Sequence, residues 1–417
     1  MNQLNHMQNE ILNNLTQPAQ LEKLYRNRKI DFKLAFLELY PQLKGNLLAD
    51  AWHERLKHKP DSIQWGKRKE IQLVISILFI SGMLAKIPSF SSLQEEFFYP
   101  RNIGFIIISA ITTYFLWIQE VPNKIKFSII GFTALCMIYI NTLPVIESDT
   151  FILACIHLPI LLWGMLGLAF SGSSPLDNDK HLDFLRFNGE TLVMTAILAI
   201  AAGIMSGVTI GLFELIGIKI QDFYFKNIVV FGFPSIPILG AYLTHNNPNL
   251  VNKVSPLVAK IFSPLVLLML MTYLGAILFT GKDPYHDREF LLLFNVLLIG
   301  VMALIFFSIA ESYSKKKNKY GMAVLVLLSV FTIIVNGIAL SAILFRISEW
   351  GITPNRLAVF GSNLLMLVHL ILITFQLFQS ISGRKPISSI GRSMVKYIPV
   401  YLIWAGIEVF VFPLLFE

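Results

Sequence analysis

Long apolar runs separated by short polar stretches fill the chain from about residue 70 onward. A helix needs about 20 mostly apolar residues to cross the hydrocarbon layer of a bilayer, and no run shows the alternation of a membrane β-strand. The pattern predicts an all-α, polytopic integral membrane bundle of about eleven transmembrane helices. The expected spans are 71–87, 102–118, 126–145, 150–171, 190–218, 226–244, 257–279, 290–310, 321–346, 357–378 and 394–416.

Residues 1–66 follow a different pattern, which is polar and rich in Asn, Gln, Lys and Glu. Two sets of apolar residues recur there at helical spacing: Phe32, Phe36 and Leu39, and Leu48, Trp52 and Leu56. This spacing predicts three or four short amphipathic helices. We therefore divide the chain into a cytoplasmic helical segment, 1–66, and a transmembrane domain, 67–417. The segment either caps the inner membrane surface or docks a cytoplasmic protein partner.

Composition agrees with a membrane location. The chain is 55% hydrophobic and only 14% charged, whereas a soluble domain carries about 25% charged residues. An ordinary soluble enzyme and a disordered protein are therefore excluded. The net charge of +8 is explained by basic cytoplasmic loops beside anionic lipid headgroups, so no nucleic acid is expected. The two cysteines are too few for a disulfide framework.

Basic residues predict the orientation, because cytoplasmic loops carry an excess of Lys and Arg. Twelve of the 34 Lys and Arg residues lie in 1–70, and two clusters of four lie at 315–319 and 384–396. All of them are cytoplasmic if the N-terminus is inside, and eleven spans then put the C-terminus in the periplasm. The first apolar run starts near Ile71, so no signal peptide is expected.

Four ionisable residues interrupt the apolar runs: His157, Glu214, His369 and Glu408. Such groups cost about 2.5–3.5 kcal/mol each at bilayer depth on insertion scales, so each needs either a function or a structural hydrogen bond. His369 and Glu408 fall on adjacent spans near their middles. A buried pair or a proton relay between them is one interpretation, and separate structural hydrogen bonds are the other.

The run FGFPSIPILG places Pro234 and Pro237 inside one span. Each proline removes a backbone donor, so the pattern predicts a broken helix. Broken helices at membrane depth lie inside protein or beside a hydrated cavity, and they occur at transporter substrate sites.

The outer segment 346–356 reads RISEWGITPNR. Arg346 and Arg356 flank Trp350 there, which fits an interfacial anchor. The same two arginines are alternatively candidates for contact with an outer anion or a lipid headgroup.

Two loops cluster acidic residues and histidines: Asp177, Asp179, His181 and Asp183, and Asp283, His286 and Asp287. Neither loop has the spacing of a calcium-binding loop, so we interpret both as solvated and expect no metal. The sequence contains no phosphate-binding glycine loop, no HExxH pair and no nucleophile elbow. We therefore expect no cofactor, and enzymatic activity is disfavoured.

Four stretches carry a family resemblance: RISEWGITPNR, LEKLYRNRKIDFKLAF, DFLRFNGE and PVYLIWAGIEVFVFPLLF. In these the chain resembles the bacterial multipass membrane family labelled domain of unknown function 4153, in the form typical of Bacteroidota. The resemblance spans most of the chain and implies an integral protein of the bacterial inner membrane. That family has no assigned activity, so the resemblance supplies no catalytic residues.

Three hypotheses of function follow. The favoured one is a transporter-like or channel-like protein, with proton coupling through the intramembrane ionisable residues. The alternative is a membrane scaffold or signal-transducing protein that docks a cytoplasmic partner through residues 1–66. An intramembrane enzyme acting on a lipid or envelope precursor ranks last.

Overall fold

The computed structural model describes residues 2–57, 65–144, 148–215, 218–248, 255–280, 285, 288–312 and 319–416. Within those ranges the secondary structure is helical and contains no strand, which confirms the all-α prediction. The chain folds into two compact units, Met1–Gln64 and Trp65–Glu417.

Four helices make up the first unit: α1 (Asn2–Asn13), α2 (Pro18–Asn27), α3 (Lys29–Leu43) and α4 (Leu47–Lys57). Their apolar faces meet in one core that contains Phe32, Phe36 and Trp52. The Phe32 and Trp52 rings lie 5.1 Å apart between centroids, which joins α3 to α4. A small unit buries limited apolar surface, so such aromatic contacts supply much of its stability.

The second unit is built from eleven longer helices and two single turns, Ile87–Phe90 and Phe412–Leu415. The longer helices are α5 (Arg68–Ala85), α6 (Glu95–Ile118), α7 (Asn123–Thr142), α8 (Asp149–Ser171), α9 (Asn178–Leu215), α10 (Gln221–Asn246), α11 (Ser255–Thr280), α12 (Arg288–Ser312), α13 (Lys319–Trp350), α14 (Pro354–Ile381) and α15 (Ile387–Phe410).

Eight of these helices are long and apolar enough to cross a membrane: α6, α7, α8, α9, α10, α13, α14 and α15. The chain is therefore an integral membrane protein. Helices α5, α11 and α12 coincide with the other three expected spans. The apolar part described in α11 is short, Phe262–Thr272, and the same holds for Phe294–Ala310 of α12. The count of eleven spans stays a prediction.

The three largest apolar cores among the described residues of the second unit each join several helices. One joins α12 to α13, α14 and α15 around Ile305, Leu328 and Leu370. A second joins α5 and α6 to α8 and α10 around Phe115. The third lies between α6, α7, α8 and α15 around Leu158. Helix α8 contributes to both of the last two cores, so its polar residues are held between packed helices.

The predicted break at Pro234 and Pro237 is absent, because α10 stays helical through both prolines. The irregularity lies one turn earlier, where Phe225–Val229 forms a π turn. A proline ring clashes with the carbonyl one turn before it, and a π turn is a known way to accommodate a local distortion without ending the helix. Helix α6 contains a second π turn, Phe105–Ser109.

A carboxylate at the surface of the first unit joins two of its helices. Glu22 on α2 accepts a hydrogen bond of 2.8 Å from Arg26 and pairs with Arg55 of α4 at 2.7 Å. The Arg55 guanidinium also lies over the Trp52 ring, 4.5 Å from its centroid. Hydrogen bonds from Arg26 and Arg55 lower the pKa of Glu22 below its ordinary value of 4.5. The ionised form therefore stabilises the contact between α2 and α4.

We predict that acid weakens this unit in a way that depends on Glu22. A carboxyl whose pKa is lowered on folding adds stability above its unfolded pKa, and this stability is lost as pH falls through the folded pKa. The protection factors of the α4 backbone amides in the full chain should therefore fall as pH drops below 4.5. Glu22→Gln should lower protection above that pH and remove the additional loss below it. Asp31→Asn is the control and should keep the pH profile of the unaltered chain. If Asp31→Asn changed the profile in the same way as Glu22→Gln, the assignment to Glu22 would be contradicted.

Candidate functional site

Two of the ionisable residues singled out in the sequence meet inside the membrane unit. His157 on α8 approaches Glu408 on α15, with 2.5 Å between Nε2 and Oε2. The Glu408 side chain has no exposed surface, and that of His157 is 17% exposed. The pair therefore joins two candidate membrane spans through ionisable groups that lie almost entirely out of solvent.

The backbone fixes the imidazole. Nδ1 of His157 lies 2.9 Å from the carbonyl oxygen of Leu153, one turn back on α8. Apolar residues of the same core surround the pair, among them Leu158 on α8 and Val409 on α15. Glu408 lies two residues before the end of α15, closer to a helix end than the sequence suggested.

The hydrogen bond to the backbone sets the tautomer of His157. A carbonyl oxygen can only accept, so Nδ1 of His157 carries a hydrogen and donates to Leu153. Nε2 therefore faces Oε2 of Glu408 at ion-pair distance, but neither carboxylate oxygen completes a hydrogen bond with a described residue. A proton shared by the two groups would make the contact neutral, either as imidazolium with carboxylate or as imidazole with carboxylic acid.

Without a shared proton, a carboxylate would face the lone pair of Nε2. Neither Oε1 nor Oε2 of Glu408 has a hydrogen-bond partner among the described residues, so no donor there compensates a negative charge. An uncompensated buried charge is strongly unfavourable.

His369 does not pair with Glu408. Its Nδ1 lies 3.1 Å from the Tyr401 hydroxyl, and its ring stacks on Tyr397 at 4.3 Å between centroids. The His369 side chain is buried beside the rings of Tyr397 and Tyr401, an arrangement that we call the aromatic box. Its Nε2 has no hydrogen-bond partner among the described residues. Tyr401 and Glu408 lie seven residues apart on α15, so the box and the ion pair occupy one face of that helix about two turns apart.

The remaining candidates lie elsewhere. Glu214 is exposed near the end of α9. Arg346 donates to the carbonyl of Tyr285 at 2.9 Å, and Arg356 donates to the carbonyls of Trp350 and Gly351 at 2.8 and 2.7 Å. Each guanidinium also lies within 6 Å of the Trp350 ring. Arg356 thereby fastens the connection between α13 and α14, whereas Arg346 joins α13 to Tyr285, which lies between α11 and α12 in the chain. Their contact with an anion stays a prediction.

A further buried carboxylate was not singled out in the sequence. Glu70 near the start of α5 accepts hydrogen bonds from the Tyr114 hydroxyl at 2.8 Å and from the Asn246 amide at 2.7 Å. Tyr242, also on α10, donates to the carbonyl of Trp65. These contacts join α5, α6 and α10 at one end of the unit. The sequence gives one signal for these hydrogen bonds: polar residues occur at the corresponding ends of the three apolar runs that form α5, α6 and α10.

Within the described ranges, no three histidine, cysteine or acidic side chains come close enough to hold a metal ion. Asp179 is engaged instead by Arg392, which donates to both of its carboxylate oxygens at 2.8 Å. The other acidic loop lies outside this part of the chain, because Asp283, His286 and Asp287 are not among the described residues.

Comparisons with known proteins give no relative. No family model, no curated protein and no solved structure matches this chain. The chemistry of the site must therefore be argued from its own residues.

We predict that His157 and Glu408 are strongly coupled in stability. His157→Leu leaves a buried carboxyl without a partner and should cost about 3–5 kcal/mol. The double variant His157→Leu/Glu408→Leu should cost less than the sum of the single variants, because it leaves no isolated charge. Unfolding of the purified chain in mixed detergent micelles measures each loss.

Glu214→Leu is the matched control, since it removes an exposed carboxylate from a helix of the same unit. We expect a change within about 0.5 kcal/mol for this variant. If the loss of unfolding free energy in the double variant equalled the sum of the losses in the two single variants, the two side chains would not interact.

Proposed function

We propose that this protein is a transporter-like membrane protein whose conformational change is coupled to protonation of the His157–Glu408 pair. The observation that carries the proposal is the close contact between two ionisable side chains, His157 and Glu408, on different helices, α8 and α15. A hydrogen bond between packed helices needs no titratable groups, and intramembrane ionisable residues commonly mark ion and proton pathways.

The coupling follows from the charges. With its proton present, the pair is neutral and draws α8 and α15 together. Without it, two acceptors face each other in a region of low dielectric, so the closed arrangement loses stability. A protein that exchanges this proton with one side of the membrane at a time would have two arrangements of α8 against α15. Alternating access requires such a two-state element.

The proposal includes a location and a family. On the distribution of Lys and Arg, we propose that the N-terminus lies in the cytoplasm and the C-terminus in the periplasm. On the four sequence stretches quoted above, we propose kinship with the family labelled domain of unknown function 4153 and a location in a bacterial inner membrane. Among the described residues, no catalytic constellation supports the third hypothesis, an intramembrane enzyme.

A second candidate function is docking of a cytoplasmic partner by residues 1–64. It is favoured by the first unit being compact, with its own aromatic core and a charged surface that includes Glu22, Arg26 and Arg55. A unit of this size is not needed to complete the cores of the second unit, which are formed by residues of that unit alone.

The transport proposal predicts proton movement driven by a solute. Purified protein is reconstituted in liposomes that contain a pH-sensitive dye, and amino acids, sugars, nucleosides and inorganic ions are added one at a time. At least one solute class should change the internal pH faster than in protein-free liposomes. Glu408→Gln and His157→Gln should reduce that rate to the protein-free level, because neither keeps the titratable pair.

Glu214→Gln provides the control and should leave the rate unchanged, since that carboxylate is exposed and distant in the chain from the pair. Wild-type rates in Glu408→Gln would rule out proton coupling through this site. Absence of any solute response in the wild-type protein would count against transport altogether.

The docking candidate makes a different prediction. A strain that lacks the gene and is complemented with residues 65–417 should keep the membrane insertion of the protein but lose its function. Normal function of that strain would exclude the docking role, whatever the outcome of the liposome assay.

A further inference from the structure

An open groove lies between α5, α6 and α10, away from the His157–Glu408 contact. It encloses a cavity of about 450 Å³, which lies within the usual range of ligand pockets. Its walls are formed largely by apolar side chains, including Ile103, Phe233 and Pro234. Phe233 is 60% exposed, so one wall of the groove opens sideways. In a membrane unit such an opening faces the acyl chains of the bilayer.

Two side chains of opposite charge lie on the lining of this groove. Glu95 is the first residue of α6, and Lys226 belongs to the π turn of α10. Both are exposed. Neither makes an ion pair or side-chain hydrogen bond with another residue in the part of the chain that the structure describes. An apolar groove with one available cation and one available anion is complementary to a ligand with apolar chains and both charges.

Specific contacts hold the groove in shape. The Tyr99 hydroxyl donates to the carbonyl of Ala85 at 3.1 Å, which joins α6 to the end of α5. Lys86 donates to the side-chain oxygen of Asn227, which joins α5 to the π turn of α10. The cation of Lys86 is thereby engaged, so Lys226 is the ammonium that the groove offers.

One π turn forms part of this groove, because Phe225–Val229 contributes Lys226 to the lining. The π turn Phe105–Ser109 begins two residues after Ile103, and none of its residues is on the lining. Turns of this type occur frequently at functional sites. The π turn that carries Lys226 is therefore an observation independent of the charges, and it points to the same groove.

We infer that this groove binds a zwitterionic phospholipid of the phosphatidylethanolamine class. An acyl chain lies along Ile103, Phe233 and Pro234, the phosphate meets Lys226, and the headgroup ammonium meets Glu95. A phosphatidylglycerol headgroup offers no cation to Glu95 and brings its phosphate near that carboxylate. The groove therefore selects by headgroup charge, while its apolar walls accept any common acyl chain.

Native mass spectrometry of the full chain tests this selection. The protein in detergent receives equal amounts of palmitoyl-oleoyl phosphatidylethanolamine and palmitoyl-oleoyl phosphatidylglycerol. We expect phosphatidylethanolamine to be bound in about fivefold preference, which corresponds to roughly 1 kcal/mol, the upper range for an exposed ion pair. Glu95→Gln should remove the preference and keep phospholipid binding. Lys226→Gln should lower the binding of both lipids.

Lys219→Gln is the matched control, because it removes an exposed cation seven residues earlier that is not part of the lining. Ile103→Trp fills the groove and should reduce both lipids without changing any charge. Equal or greater uptake of phosphatidylglycerol by the wild-type protein would overturn the inference. It would also fail if Glu95→Gln, Lys226→Gln and Ile103→Trp all behaved like Lys219→Gln.

Discussion

The interior of a bilayer contains no water that could accept or donate a hydrogen bond, and this one constraint shapes the whole second unit. Every backbone N–H and C=O must find a partner within the protein, which is why the apolar runs are helices. Ionisable side chains come under the same requirement. His157 and Glu408 lie at ion-pair distance from each other across two helices, and His369 satisfies the requirement in part with the Tyr401 hydroxyl.

The two polar arrangements on α15 differ in what they can do. In the aromatic box, a hydroxyl and an imidazole meet among rings, so the contact needs no net charge. In the pair, a carboxyl and an imidazole meet, so the strength of the contact depends on their charge state. One helix thus carries a contact that needs no charge and, about two turns away, a contact whose strength depends on charge.

Helix α6 separates the groove from the ion pair. Ile103 lines the groove. The next residue, Gly104, leaves room for Pro159 of α8, two residues from His157. Phe105 then packs in the same core as Leu158 and Val409. A lipid in the groove and a proton on the pair would therefore act on opposite sides of the same short stretch of backbone.

The sequence was sufficient for the helices, because a run of apolar residues long enough to cross a membrane has few other stable structures. It was also sufficient to single out His157 and Glu408, because each interrupts such a run. The sequence alone could not show that these two residues contact each other. Neighbouring spans in the chain suggested His369 as the partner of Glu408, whereas the packing of α8 against α15 decided otherwise. Glu70 was missed because a carboxylate beside basic residues at a helix start resembles an ordinary solvated end. The prolines suggested a break, but the strain is taken up by a π turn one turn earlier.

That π turn and its counterpart in α6 also constrain the length of the chain. One additional residue in a helix rotates everything after it by about 100°. In α6, Glu95, Tyr99 and Ile103, before the Phe105–Ser109 turn, line the groove, whereas Tyr114, after the turn, reaches Glu70. The direction of Ile103 toward the groove and that of Tyr114 toward Glu70 both depend on the number of residues between them. Side chains there can vary within the limits of apolar packing, but a single insertion or deletion would turn one end of the helix away from its partners.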